Sequence, residues 1–137
     1  MQIFSAEKIF TGKEWLTNHA VVVEDNRIKA IIPATATAHH FANAFIAPAF
    51  IDLQIYGAGE KLFAVYPEKD ALKRLVDYCR KGGAAYCMPT VATQPYETFY
   101  KCIDAVKDYW NDGGTGVLGL HIEGPWISAA KKGAHIE

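Results

Sequence analysis

The feature that most constrains the fold of this chain is the alternation of strand-like and helix-like segments in its second part. Residues 50–55, 84–90 and 117–123 are apolar runs of strand length, and residues 68–81 and 96–111 between them have apolar residues at helical spacing. Strands that alternate with helices of this length are typical of right-handed βαβ units around a parallel sheet. The sequence therefore predicts an α/β fold with three parallel strands and two helices in this part.

The first 46 residues follow another pattern, in which short apolar runs occur without a helical period. The runs at 20–23 and 28–32 flank residues 24–27, a polar turn that predicts a hairpin. Residues 33–44 are rich in Ala, Thr and His and are expected to form a connector. We therefore expect a small antiparallel sheet, or half of a β-sandwich, at the start of the chain.

Composition argues against several classes of function. The net charge of −1 and the pI near 6.5 disfavour a surface that binds nucleic acid or acidic membranes. No apolar run approaches the roughly 18 residues of a membrane span, and the first residues lack the pattern of a secretory signal. The three cysteines, Cys79, Cys87 and Cys102, have no CxxC spacing and are expected to be reduced core residues of a cytoplasmic protein.

The third predicted strand of the α/β part ends on a carboxylate, Glu123, directly before a Gly-Pro turn. Because side chains alternate in a strand, we expect Val117, Gly119, His121 and Glu123 on one face. Barrels of this class present metal ligands at the carboxyl ends of strands, and a Glu oxygen suits Zn, Fe or Mn. Glu123 is thus either a metal ligand or the start of a solvated turn, and His121, one pleat away, is expected to support it.

The first predicted strand of the α/β part also carries polar side chains. Alternation places Asp52, Gln54 and Tyr56 together on the inner face. Asp52 is either part of a site or a structural acid that accepts bonds from backbone N–H groups, and Tyr56 either bonds a substrate or packs. In the loop near the end of the sequence, His135 is either a substrate contact or an exposed histidine. The lysines at 131–132 either meet a phosphate or are solvated.

Taken together, these segments resemble the N-acetylglucosamine-6-phosphate deacetylases, a family of the amidohydrolase superfamily. The most specific block combines an HxEGP motif at 121–125 with a KKGxH loop at 131–135. The matching segments lie in order along the chain, at 8–12, 19–23, 47–59, 88–90, 119–126 and 131–135. The resemblance covers essentially the whole chain, but only about the first third of the family's length.

The resemblance implies a fold and a division into domains. Residues 1–46 correspond to the N-terminal part of a small β-sandwich domain, and residues 47–137 to the first βα units of a metal-dependent hydrolase with a (β/α)8 TIM barrel. Such a barrel takes about 250 residues, so we expect a truncated barrel that contains its first three strands. From the residues alone, an open α/β sheet that is complete in itself is the alternative.

The resemblance also implies roles for single residues. Glu123 corresponds to the family's metal-binding glutamate, and Ala134 and His135 correspond to positions that contact the sugar phosphate. Many amidohydrolases bind a second metal through an HxH pair on the first barrel strand, where this chain has Gln54 and Tyr56. We therefore expect one divalent metal ion, with zinc as the first choice and iron or manganese as alternatives.

The activity implied is hydrolysis of the N-acetyl amide of N-acetylglucosamine-6-phosphate, which gives glucosamine-6-phosphate and acetate in amino-sugar catabolism. The whole enzyme is expected to be a cytoplasmic homo-oligomer that binds neither nucleic acid nor a membrane. The family's remaining metal ligands and its general acid/base lie on later strands, so these 137 residues should contain no catalytic residue and be inactive alone. The alternatives are another amidohydrolase, such as a dihydroorotase-like amidase, and a non-catalytic module that binds sugar phosphates.

Overall fold

A computed structural model describes residues 1–135 as two compact units. The first unit is Met1–Pro48, and the second begins at Ala49. Within the described range, no helix is both long enough and apolar enough to cross a membrane. The fold is of the α/β type, and its strands in the first unit are followed by alternating strands and helices in the second.

The first unit is a five-stranded sheet built around its first strand. Strand β1 pairs antiparallel with β2 and β3, and β3 pairs antiparallel with β4. The fifth strand, β5, runs parallel to β1. The strands are β1 (Gln2–Phe10), β2 (Trp15–Leu16), β3 (His19–Glu24), β4 (Arg27–Pro33) and β5 (His39–Ile46).

The hairpin predicted at residues 24–27 is confirmed. Strands β3 and β4 are joined there by Asp25 and Asn26, which have φ values of 50° and 59°. Two consecutive left-handed residues form the turn type whose twist matches that of the flanking strands, and Asp and Asn tolerate this conformation well. The buried apolar residues of this unit lie in β1 and β3 and are Ala6, Ile9, Ala20, Val21 and Val22.

The connector predicted at residues 33–44 is wrong in its second half, where β5 lies. Strand β5 adds to β1 with pairs such as Ser5 with His40 and Ile9 with Ile46. The side chains of Ser5 and His40 also bond, with 3.1 Å between Oγ and Nδ1. Most β5 side chains are exposed, so the strand lacks the apolar alternation by which strands are recognised. The sheet is therefore mixed rather than purely antiparallel.

The second unit confirms the predicted alternation of strands and helices. Its main sheet has the order β10, β9, β6, and both strand pairs are parallel. A short hairpin, β7 with β8, follows the first of these strands. The elements are β6 (Phe50–Ile55), β7 (Gly57–Ala58), β8 (Lys61–Leu62), α1 (Lys69–Lys81), β9 (Ala84–Ala92), α2 (Tyr96–Asn111), β10 (His121–Glu123) and a 3₁₀ turn (Ala129–Lys131).

The helices pack the predicted apolar stripes into the core of this unit. Helix α1 buries Leu72, Leu75, Val76 and Cys79, and α2 buries Phe99, Cys102, Ala105 and Val106. All three cysteines are buried free thiols, as expected. Trp110, near the end of α2, is 44% exposed, and its indole Nε1 donates to the carbonyl oxygen of Val117 at 2.9 Å.

The third predicted strand is shorter than its apolar run. Only His121–Glu123 form strand, whereas Val117 makes a single bridge to Cys87 and residues 118–120 form no strand. The alternation is therefore interrupted, and Val117 belongs to the buried core instead of the face that carries His121 and Glu123. The prediction of a common face is wrong for Val117, because the alternation of side chains typical of a strand does not continue from residue 117 to residue 123.

Candidate functional site

An irregularity in β6 decides which polar side chains reach the end of the sheet. Asp52 pairs with Cys87 and Ile55 pairs with Pro89, so three steps along β6 match two steps along β9. One extra residue in a strand breaks the alternation of its side chains. Asp52 consequently shares a face with the buried Cys87, and the common face predicted for Asp52, Gln54 and Tyr56 is wrong for Asp52.

Asp52 serves the backbone at this irregularity. Its Oδ1 accepts a hydrogen bond from the N–H of Gln54 at 3.0 Å. Asp52 lines a cavity together with Tyr78 and Cys79, so it lies on the side of helix α1. Burial raises the pKa of both Cys79 and Cys87, and the negative charge of Asp52 adds to this effect. Of the two interpretations of this acid, the structure favours the structural one.

A cavity of about 610 Å³ opens where the strands of the parallel sheet end. Tyr56 follows β6, Thr93 follows β9, and Glu123 is the last residue of β10. Carboxyl ends of parallel strands meet at one edge of a sheet, so residues distant in sequence converge there. The cavity is lined by Tyr56, Ala92, Thr93, Gln94, Glu123, Ile127, Lys131, Lys132, Gly133, Ala134 and His135. All three predicted site residues, Glu123, Ala134 and His135, are among them.

The two carboxylate oxygens of Glu123 have different neighbours. Oε2 accepts a short hydrogen bond from the hydroxyl of Tyr56, and Oε1 lies 3.7 Å from Nε2 of His135. The side chain of Glu123 is 29% exposed, so it is directed into the cavity rather than into bulk solvent. Because Tyr56 donates to an anionic carboxylate, its pKa is raised above the usual value of tyrosine.

His135 is held from its other ring nitrogen. Nδ1 lies 2.8 Å from Oγ1 of Thr93, and the imidazole is 16% exposed. A histidine fixed at one nitrogen presents the other in a defined direction. Thr93 thereby orients the Nε2 edge of His135 toward Glu123.

The turn after β10 depends on Gly124. Its φ of 94° lies in the left-handed region, and a Cβ at this position would be 2.3 Å from Oγ1 of Thr93. Any other residue here would strain the backbone and displace the hydroxyl that holds His135. The glycine of the HxEGP motif therefore permits the close approach of two loops at the cavity.

His121 lies outside the lining of this cavity. Its Nδ1 is 2.9 Å from the carbonyl oxygen of Leu53 and 3.5 Å from Oγ1 of Thr90. These contacts link β10 to both other strands of the sheet. The histidine thus stabilises the arrangement of strands below Glu123.

Four lining residues escaped sequence analysis: Ala92, Thr93, Gln94 and Ile127. The predicted second strand stopped at residue 90, whereas β9 continues to Ala92. A polar pair between an apolar strand and the following helix is the signal that would have identified Thr93 and Gln94, because this position lies at the carboxyl edge of a parallel sheet.

The donor atoms in the cavity match a divalent metal only in part. A carboxylate oxygen and an imidazole nitrogen are both zinc ligands, and Glu123 and His135 bring them within 3.7 Å of each other. Among residues 1–135, however, no cluster of three or more His, Cys, Asp or Glu side chains could hold an ion. The described residues therefore bring together two donor side chains, Glu123 and His135, fewer than the three protein ligands that a catalytic zinc takes.

Comparison with known proteins identifies the relatives of the chain. Residues 4–44 match the NagA composite domain. The chain is 32% identical over 133 residues to the N-acetylglucosamine-6-phosphate deacetylase of Haemophilus influenzae, with 93% of this chain and 35% of the relative covered. It is 28% identical over 135 residues to the N-acetylgalactosamine-6-phosphate deacetylase of Escherichia coli O157:H7, with 97% and 36% covered.

Solved structures agree with these relationships. The N-acetylglucosamine-6-phosphate deacetylase from Pasteurella multocida superposes with a TM-score of 0.86 at 29% identity, with 98% of this chain and 38% of the other covered. The enzyme from Mycobacterium smegmatis shares the fold, with a TM-score of 0.80 at 24% identity. The chain spans about a third of the length of the curated relatives it matches. It therefore matches the N-terminal part of the N-acetylglucosamine-6-phosphate deacetylase family, which confirms the resemblance inferred from its sequence.

Proposed function

We propose that this chain belongs to a metal-dependent amidohydrolase that removes the acetyl group from an N-acetylhexosamine 6-phosphate. The observation that carries the proposal is the convergence of Glu123, Ala134 and His135 on one cavity. The expected reaction is hydrolysis of the amide of N-acetylglucosamine-6-phosphate to glucosamine-6-phosphate and acetate. Lys131 and Lys132 also line the cavity, and two cationic side chains at this position favour an anionic substrate.

The same site could accept either of two hexosamines that differ in configuration. One relative is named for the glucosamine compound and another for its galactosamine epimer. The two differ only in the orientation of one hydroxyl, which a single hydrogen-bonding side chain can discriminate. We favour the glucosamine compound, because the relative named for it is 32% identical to this chain and the relative named for the galactosamine epimer is 28% identical.

In the proposed mechanism, Glu123 is a ligand of one divalent ion, with zinc as the first choice and iron or manganese as alternatives. Such an ion supplies a Lewis acid that polarises the amide carbonyl and makes water a better nucleophile. His135, fixed by Thr93, contacts the sugar phosphate together with Ala134. The paired lysines attract the phosphate as point charges.

The proposal extends to the architecture of the whole protein. We infer that β6, β9 and β10 are the first three strands of a (β/α)8 barrel and that the first unit is part of a β-sandwich. A catalytic zinc takes about three protein ligands, of which Glu123 provides one. The whole protein therefore needs ligands from further strands, and the 137 residues alone are expected to be inactive. We place it in the cytoplasm as a homo-oligomer that binds neither nucleic acid nor a membrane.

The test measures acetate release and metal content together in the whole protein proposed here. Both epimeric substrates are supplied, and Glu123→Gln is compared with Glu97→Gln. Glu97 is an exposed residue of α2 that pairs with Lys101, so its substitution controls for loss of one surface charge. We expect Glu123→Gln to lose bound zinc and acetate release, and Glu97→Gln to retain both. Full metal content and activity in Glu123→Gln, or sugar-phosphate binding without hydrolysis by the wild type, would contradict the proposal.

A further inference from the structure

Three polar side chains form a chain of hydrogen bonds that joins β6 to β10. Gln54 donates from Nε2 to the hydroxyl oxygen of Tyr56 at 2.9 Å. Tyr56 in turn donates from its hydroxyl to Oε2 of Glu123. The chain ends on the carboxylate that the proposed function assigns to the metal.

We propose that Tyr56 is a positioning residue for Glu123. The hydroxyl of Tyr56 holds Oε2 of Glu123 and leaves Oε1 of the same carboxylate to bind the metal ion. The inference rests on the proposed function, since it takes Glu123 as a metal ligand. It assigns to Tyr56 a role in metal affinity that is distinct from contact with the ion or with the sugar.

The direction of the hydrogen bonds supports this role. A tyrosine hydroxyl has one hydrogen to donate, and an amide N–H can only donate. Because Gln54 donates to the oxygen of Tyr56, the phenolic hydrogen is free to point at Glu123. Ligands of metals in proteins are commonly oriented in this way by hydrogen-bonding partners outside the coordination sphere.

The irregularity in β6 makes the contact possible. The extra residue between Asp52 and Ile55 separates the face of Asp52 from that of Tyr56, and Asp52 accepts the N–H of Gln54 at this position. The side chains of Gln54 and Tyr56 are thus directed toward β10, whereas the carboxylate of Asp52 faces helix α1. The two carboxylate oxygens of Glu123 are then unequal, because Oε2 is occupied by Tyr56 and Oε1 faces Nε2 of His135.

The experiment measures metal affinity in the whole protein by competition with a chelator for Zn²⁺. The Co²⁺-loaded protein is examined in parallel by its absorption spectrum, which reports the ligand field. Tyr56→Phe removes only the hydroxyl, and we expect its zinc affinity to fall about 10- to 100-fold, the usual effect of losing a partner that orients a ligand. We expect a changed Co²⁺ spectrum as well. Tyr86→Phe, on β9 at a similar exposure, is the matched control and should equal the wild type.

Gln54→Met separates positioning from general stability. The variant leaves the hydroxyl of Tyr56 but removes the group that orients it, so zinc affinity should fall less than in Tyr56→Phe. In the double variant the second substitution should add nothing, because both act through one hydrogen-bond chain. If Tyr56→Phe does not fold, Gln54→Met and its cobalt spectrum decide the question.

The possible failures are distinguishable. If Tyr56→Phe and Gln54→Met bind zinc like the wild type while Glu123→Gln does not, this inference is wrong and the proposed function stands. If additive losses are found in the double variant, Tyr56 does not act through the Gln54 chain and the inference is overturned. If Glu123→Gln binds zinc as tightly as the wild type, the proposed function itself fails.

Discussion

Thr93 Oγ1 and His135 Nδ1 lie 2.8 Å apart, and this contact ties the loop after β10 to the carboxyl end of β9. The two residues are separated by 42 positions in sequence, so the loop is positioned by the sheet rather than by its own residues. A mobile loop would lose conformational entropy on binding a sugar phosphate, whereas a loop already held in place loses less. The relationship therefore predicts that Thr93 affects binding more than chemistry.

Thr93→Val tests this role in the whole protein. Loss of one neutral hydrogen bond, worth about 0.5–1.5 kcal/mol, should raise KM for the sugar phosphate about 2- to 12-fold and leave kcat nearly unchanged. Steady-state kinetics provide the measurement. Thr115→Val is the control, because Thr115 is exposed, bonds Arg80 and does not line the cavity. A fall in kcat with constant KM would show that Thr93 acts on the reaction step instead.

Gly124→Ala should destabilise the second unit and disturb the cavity. The substitution combines left-handed backbone with a Cβ placed 2.3 Å from Oγ1 of Thr93. Gly113→Ala has a similar φ of 79° but no atom within 4 Å, so it isolates the backbone cost of about 1–2 kcal/mol. We expect Gly124→Ala to cost at least about 1 kcal/mol more, as for other overpacked positions. Urea denaturation measures both, and equal costs would contradict the close approach.

The buried thiol of Cys102 should make stability depend on alkaline pH. Burial raises the pKa of Cys102 to about 11 from its ordinary value of 9.0. The folded state therefore disfavours the thiolate, and the associated stability is complete below pH 9 and is lost as pH rises toward 11. The advantage of the wild type over Cys102→Ala should shrink by about 2 kcal/mol between pH 8 and pH 11. Urea denaturation at both pH values checks this, and a constant difference would contradict it.

Asp52 should contribute through its acceptor oxygen and not through its charge. Asp52→Ala leaves the N–H of Gln54 without this acceptor and should lower the free energy of unfolding by about 1 kcal/mol. Asp52→Asn keeps an acceptor at the same position and should remain within about 0.5 kcal/mol of the wild type. Equal destabilisation by both variants would show that the charge matters instead.

The helices were predictable because their stripes are buried on one side only. Leu72, Leu75, Val76 and Cys79 recur at helical spacing and are all buried in α1. Strand β5 was not predictable in this way, since His39–Ile46 pair through the backbone while most of their side chains face solvent. Periodicity detects burial, so it misses a strand whose side chains are mostly exposed.

The residues of the candidate site were predictable where they belong to a sequence motif, but not where the pairing of strands determines their position. Glu123, Ala134 and His135 come from the HxEGP and KKGxH segments, and the structure brings them to one cavity. Their roles stay predictions. The place of Tyr56 depends on one extra residue in β6, and that of Thr93 on where β9 ends. The extra residue in β6 arises from the pairing of strands distant in sequence, and no pattern of residue types specifies it. Thr93 carries the weaker signal of a polar residue between an apolar strand and a helix, and its position follows from the end of β9 at Ala92.

The position of β1 has a consequence for how the first unit is made. Strand β1 is synthesised before its parallel partner β5, so the two can pair only when residues 39–46 are available. The backbone groups of β1 that pair with β5 are about 35 residues away from their partners in sequence, and such a separation slows pairing. Shortening the chain at its amino end would remove the strand against which three others are aligned. An affinity tag placed before β1 is therefore best separated from the strand by a flexible spacer.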